Sequence, residues 1–130
     1  MDHFNIREID KAHKRIKSFI LRTPLITNET INKITQGNIF FKLENLQNTG
    51  SFKIRGAINK ISQLSKKSKL RGIVSYSSGN HAQAVAYASK IFNTNATIVM
   101  PMNAPKVKIQ NTKKYGAKII FYDPSKYTAG

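Results

Sequence analysis

Between Asn38 and Tyr122 the sequence alternates β-rich and helical stretches, and that order narrows the possible folds more than any other feature. Asn38 to Leu43 is β-rich, with Ile39, Phe40 and Phe41 in an unbroken apolar run that reads as a buried strand. Ile54, Ala57, Ile58, Ile61 and Leu64 then fall at helical spacing. Gly72 to Tyr76 is a short strand, followed by a helix carrying Ala82, Val85, Ala86 and Ala88. Ala96 to Met100 is the next strand. Asn103 and Pro105 read as the cap and first turn of a helix reaching Tyr115, with Gly116 as its stop and Ala117 to Tyr122 as a further strand. Strand, helix, strand, helix, strand is the grammar of right-handed βαβ units and a parallel sheet, so the class is α/β. Ahead of this, Ile6, Ile9, Ala12, Ile16, Phe19 and Ile20 mark an amphipathic helix with His13 at the edge of its stripe. Pro24 breaks the chain before a short extended piece, and a second helix around Thr30–Thr35 is closed by Gly37.

Composition excludes several functions. The chain has 130 residues, enough for one domain or parts of two. No apolar run approaches the ~20 residues of a spanning helix, and Met1-Asp2-His3-Phe4-Asn5 lacks the pattern of a secretory leader. Without cysteine there is no disulfide frame, thiolate nucleophile or cysteine metal site, and no metal centre is expected; a cytoplasmic protein is the default. The net charge of +16 invites a nucleic-acid reading. Against it, the lysines are scattered, and they outnumber arginines seventeen to five, where phosphate-gripping surfaces favour the arginine fork. The densest cluster, Lys66-Lys67-Ser68-Lys69 with Arg71, reads as a helix-to-strand loop.

Two stretches carry chemistry. In Thr49-Gly50-Ser51-Phe52-Lys53-Ile54-Arg55-Gly56-Ala57, Gly50 and Ser51 read as a turn and an N-cap, which puts Lys53 in the first turn of a helix. The positive end of the macrodipole and the nearby Arg55 both disfavour an ammonium there, which suits an amine that must attack a carbonyl. The second stretch is the strand-to-helix junction Tyr76–His81. Small residues and the unpaired N–H groups of the next helix make it a ready anion site at the carboxyl end of a parallel strand.

The first stretch resembles the pyridoxal-phosphate lysine motif of threonine dehydratases and serine racemase. Lys42-Leu43-Glu44-Asn45-Leu46-Gln47 stands before it as in that family, and Ser77-Ser78-Gly79-Asn80-His81-Ala82-Gln83 is similar to the family's second signature. The likeness runs from about Arg22 to Tyr122. It implies the tryptophan synthase β-subunit-like fold of fold-type-II pyridoxal-phosphate enzymes, truncated, with residues 1–70 in the large domain and 71–130 beginning the small one. It implies that Lys53 bears the cofactor and moves the Cα proton, and that Phe52 packs on the cofactor ring. Asn80 would bond the ring hydroxyl oxygen. Ser77, Ser78, Gly79, Asn80 and His81 would receive the substrate carboxylate. The implied reaction is elimination of water from L-threonine or L-serine, giving a 2-oxo acid and ammonia, with isoleucine biosynthesis among the implied roles. Serine racemase is the alternative, with Ser78 as acid or base on the face opposite Lys53. A noncatalytic remnant or basic binding module is another. The family's glycine-rich phosphate loop is expected beyond residue 130, so a second chain or a homo-oligomer is an expected partner. Ala84 departs from the glycine of many relatives.

Overall fold

The computed structural model describes residues 5–126, so the readings that fall on Met1–Phe4 and Gly130 lie outside the described residues. Helix α1 (Ile6–Ile16) starts where Asn5 Oδ1 accepts the Glu8 N–H at 3.3 Å. Its apolar stripe is only partly used: Ile16 is buried, whereas Ile6 and Ile9 are exposed. His13 is exposed as well, not lodged at a core edge as expected.

Strands β1 (Leu25–Thr27) and β2 (Phe40–Lys42) pair antiparallel as a two-stranded ribbon, with Ile26 opposite Phe41. The run read as a buried strand is open instead, Phe40 being 63% and Phe41 36% exposed. An unbroken apolar run tells that a strand can be covered on both faces, and nothing among the described residues covers this one. Between the strands, α2 (Glu29–Thr35) is capped by Asn28 and closed by Gln36, whose φ of 51° is left-handed. Gly37, expected to close the helix, follows that residue and donates its N–H back to Asn32 O at 3.2 Å.

Helix α3 (Lys53–Ser62) buries Ile54, Ala57, Ile58 and Ile61, the periodic residues of the sequence. The basic cluster expected as a loop is a short helix, α4 (Lys66–Arg71), whose start is capped by Ser65 Oγ accepting the Ser68 N–H at 3.1 Å. Lys69 turns back, donating to Ser62 O at 3.2 Å with its ammonium 5.0 Å from the Phe92 ring centroid. Gly72 ends α4 with φ +83°, and a Cβ there would meet Asn95 O at 3.1 Å, so glycine is required on both counts.

Beyond it run β3 (Ile73–Tyr76), α5 (Asn80–Ile91), β4 (Ala96–Pro101), α6 (Lys106–Lys114) and β5 (Lys118–Tyr122). The three strands form a parallel sheet in the order β3-β4-β5, with Ser75 opposite Ile98 and Ile98 opposite Ile119. The α/β reading and its parallel sheet therefore hold. Pro105, not Asn103, occupies the cap position of α6, and Gly116 stops that helix at φ +88°. The core lies between α3, α5 and β4: Ile54, Ile58, Ile98 and Met100 are fully buried. Ala82, Ala84, Ala86 and Ala88 give α5 a surface of small side chains against α3 and the sheet, and the Ala84 methyl is fully enclosed. One core thus draws on residues from both sides of position 70. The opposite face of the sheet is open, with Val74 76% and Ile120 46% exposed, where parallel sheets are ordinarily covered on both faces.

Candidate active site

Lys53 opens α3, as expected from sequence, and its exposed amine lies 5.0 Å from the centroid of the exposed Phe52 ring. The turn before it is tight: Gly50 has φ +70° and donates its N–H to Gln47 O at 2.7 Å. Ser51 does not cap the helix. Its hydroxyl is buried and meets no hydrogen-bond partner, and the same holds for Thr49 on the other side of Gly50.

The Lys42–Gln47 stretch anchors this turn. Glu44, in a 3-10 turn over Glu44–Leu46, accepts two hydrogen bonds from Arg55, Nε to Oε2 at 2.8 Å and Nη2 to Oε1 at 2.7 Å. Thr23 Oγ1 adds a third at 2.5 Å. Gln47 Oε1 accepts the Leu21 N–H and Gln47 Nε2 donates to Leu21 O, each at 2.9 Å. The cation counted from sequence beside Lys53 is therefore paired with a carboxylate. The two adjoining motifs are one fastening, which pins the start of α3 to the segment before β1.

The hydrogen bonds from Arg55 hold the Glu44 carboxyl at about 2, below its ordinary 4.5, with Thr23 helping and burial opposing. Because the folded value is the lower one, this stabilisation is fully present above pH 4.5 and is lost as the pH falls toward about 2. Glu44→Gln is expected to cost about 2 kcal/mol at neutral pH, the scale of charge-assisted hydrogen bonds in a mostly covered pair. Urea unfolding of both proteins across pH checks this; a deficit that stays constant down to pH 2 would contradict the assignment.

The second stretch lies where β3 meets α5. Ser77 donates its N–H to Val99 O at 3.1 Å, which holds the loop to the end of β4. Ser77 Oγ accepts the Gly79 N–H at 3.2 Å, so that hydroxyl is engaged within the loop. Ser78, Asn80 and His81 are exposed, and Asn80 is the first residue of α5. A Cβ on Gly79 would meet nothing within 4 Å, leaving open space in front of the loop. Ser77 to His81 are thus brought together, and Phe52 with Lys53. No hydrogen bond joins the two groups among the described residues; they are linked through the packing of α3 on α5.

A lysine opens one helix, and a small-residue loop opens a helix packed on it. Residues 16–130 match the family described as pyridoxal-phosphate dependent enzyme. The chain belongs to that family. Over 117 residues it is 53% identical to the L-threonine dehydratase catabolic TdcB of Staphylococcus aureus (strain USA300), covering 89% of this chain and 34% of that protein. It is 46% identical over 116 residues to serine racemase of Schizosaccharomyces pombe, covering 89% of this chain and 36% of that one. Maize serine racemase superposes with a TM-score of 0.87 at 44% identity, over 92% of this chain and 36% of the maize chain. The chain therefore spans about a third of the length of these relatives, and its fold is that part of fold type II.

The residues present fit one end of the cofactor. Lys53 offers a free amine for its aldehyde, and the orphaned buried hydroxyls of Thr49 and Ser51 lie in the same turn. Among the described residues nothing comparable receives the phosphate. The glycines of the described residues stand singly, at 37, 50, 56, 72, 79 and 116. Among the described residues there is also no group of three or more His, Cys, Asp or Glu that could hold a metal, and no helix is long and apolar enough to cross a membrane.

Proposed function

We propose that this chain forms the lysine-bearing part of a cytoplasmic, pyridoxal-phosphate dependent ammonia-lyase that converts L-threonine, and L-serine, to a 2-oxo acid and ammonia. The observation that carries this reading is Lys53 at the start of α3, inside a motif that resembles the pyridoxal-phosphate lysine motif of threonine dehydratases, in a chain 53% identical to one of them. Bound pyridoxal phosphate supplies the electron sink for the charge left at Cα. Lys53 would hold the cofactor at its aldehyde end and would be the base that moves the Cα proton. Phe52 packs on the ring, and Asn80 bonds its hydroxyl oxygen. The loop of Ser77, Ser78, Gly79, Asn80 and His81 orients the substrate carboxylate at the N-terminus of α5, where backbone N–H groups favour an anion.

Residues 1–70 belong in this proposal to the large domain and 71–130 to the small one, with the shared core joining them. The remaining two thirds of the family's length supplies the phosphate cradle and covers the β1–β2 ribbon. It does so either in the same polypeptide or as a second chain, in a homo-oligomeric enzyme. The name of the staphylococcal relative favours a degradative role over isoleucine biosynthesis.

A racemase is the second reading, favoured by the exposed Ser78 and by the 46% identity to a serine racemase. In the completed enzyme, meaning this chain with the rest of the family fold, Ser78→Ala is expected to change 2-oxo acid formation from L-threonine less than about threefold, since the general acid–base factor of about 10²–10⁴ would rest on Lys53. Chiral analysis of products from L-serine distinguishes the two readings. Loss of a substantial D-serine-forming activity in Ser78→Ala would favour the racemase. A noncatalytic remnant would hold no cofactor through Lys53.

A further inference from the structure

Lys108 belongs to none of the motifs above, yet from α6 its ammonium donates to Asn80 Oδ1 at 2.5 Å. Gln83 Nε2 approaches the same oxygen at 3.4 Å. Gln83 is in turn held in place: it is 2% exposed and its Oε1 accepts Asn111 Nδ2 at 2.9 Å. Helix α6 thus grips the head of α5 through two side chains.

The donor inventory decides what this means. An ammonium has three donors and no acceptor, so the atom facing it must be an acceptor, and the only side-chain acceptor of asparagine is Oδ1. The amide is planar, which turns Nδ2 to the other side, where it donates to nothing among the described residues. We propose that Lys108 is a positioning residue: by holding Asn80 Oδ1 it presents Nδ2 as a donor to the ring oxygen of bound pyridoxal phosphate. The inference rests on the role proposed above for Asn80. Without Lys108 the amide can turn over and aim Oδ1 at another acceptor, leaving that oxygen without its donor. The adjoining positive charge also polarises the amide and strengthens the bond it donates.

The test uses the completed enzyme, stripped of cofactor and titrated with pyridoxal phosphate. Lys108→Met keeps the chain length and removes the donors. It is expected to weaken cofactor binding about tenfold, the scale of one hydrogen bond, and to alter the visible spectrum of the bound cofactor. Lys108→Arg is expected to restore both. Asn80→Ala should show the same losses, and adding Lys108→Met to it should cost less than about twofold more, because both act through one contact. Equal losses from Lys108→Met with and without Asn80, or no loss at all, would overturn the proposal. If Asn80→Ala leaves affinity and spectrum unchanged, the Asn80 role fails and this inference with it. If Asn80→Ala matters while Lys108→Met does not, the role stands and the inference alone fails. Thermal unfolding of the cofactor-free variants identifies any effect on folding, expected to be small for a side chain in an exposed contact.

Discussion

Lys53→Ala in the completed enzyme is expected to remove the visible absorption of lysine-linked pyridoxal phosphate and to lower 2-oxo acid formation by about 10³-fold or more. On the proposed assignment two functions are lost together, the covalent anchor of the cofactor and the base that moves the Cα proton, and the second alone is ordinarily worth about 10²–10⁴-fold. Lys60→Ala is the matched control. Lys60 lies on the same helix and is exposed, but it stands two turns beyond the junction where Lys53 sits. Its loss should leave absorption and turnover within about twofold, as for surface substitutions generally. Equal damage from both substitutions would mean that α3 matters for its fold and not for its first lysine.

The chain of 130 residues on its own is expected to show no measurable turnover of L-threonine and to bind pyridoxal phosphate weakly. In the proposed site the lysine and the Ser77–His81 loop form one wall, while much of the cofactor affinity should come from backbone N–H groups around the phosphate, for which the described residues offer no cradle. Folding points the same way. Leu25, Ile26, Phe40 and Phe41 leave the ribbon apolar and unpaired at its edges, and Val74, Tyr76 and Ile120 leave the second face of the sheet open. Edges and patches of this kind favour self-association. Sedimentation and equilibrium cofactor titration of the chain, alone and with the rest of the family fold added, check this. Brisk ammonia release from a monodisperse chain with tightly held cofactor would contradict it.

Much of this was legible from periodicity. Ile54, Ala57, Ile58 and Ile61 gave α3, and the small apolar residues from Ala82 to Ala88 gave α5, because those faces are buried as their spacing requires. Helix α4 was not legible: its only apolar residue is Leu70, itself exposed, and its start depends on the Ser65 cap. The Phe40–Phe41 run signalled burial that the structure does not show: both rings are exposed, because an apolar run says what a strand can tolerate and nothing among the described residues covers it. Local signals also misplaced two ends. A left-handed Gln36 closes α2 where a glycine stood ready one residue later, and Ser51 is buried without capping α3.

For the site, the lysine and the loop were readable as motifs, whereas their supports were not. Glu44 meets Arg55 across 11 positions, and Lys108 meets Asn80 across 28. The members of each pair lie on different elements, Glu44 in a 3-10 turn and Arg55 on α3, Asn80 on α5 and Lys108 on α6, so no single helical or strand period links them and only the fold brings these side chains together. The adjacency of Lys42–Gln47 to the Lys53 motif was the one available signal of the first pairing.

The most direct test of the assignment is chemical. The completed enzyme, loaded with pyridoxal phosphate, is reduced with borohydride, digested and its labelled peptides are mapped. The pyridoxyl group is predicted on the peptide containing Lys53 and on no other, at close to one per chain. Label spread over the seventeen lysines, or fixed on a different one, would contradict the claim that Lys53 carries the cofactor.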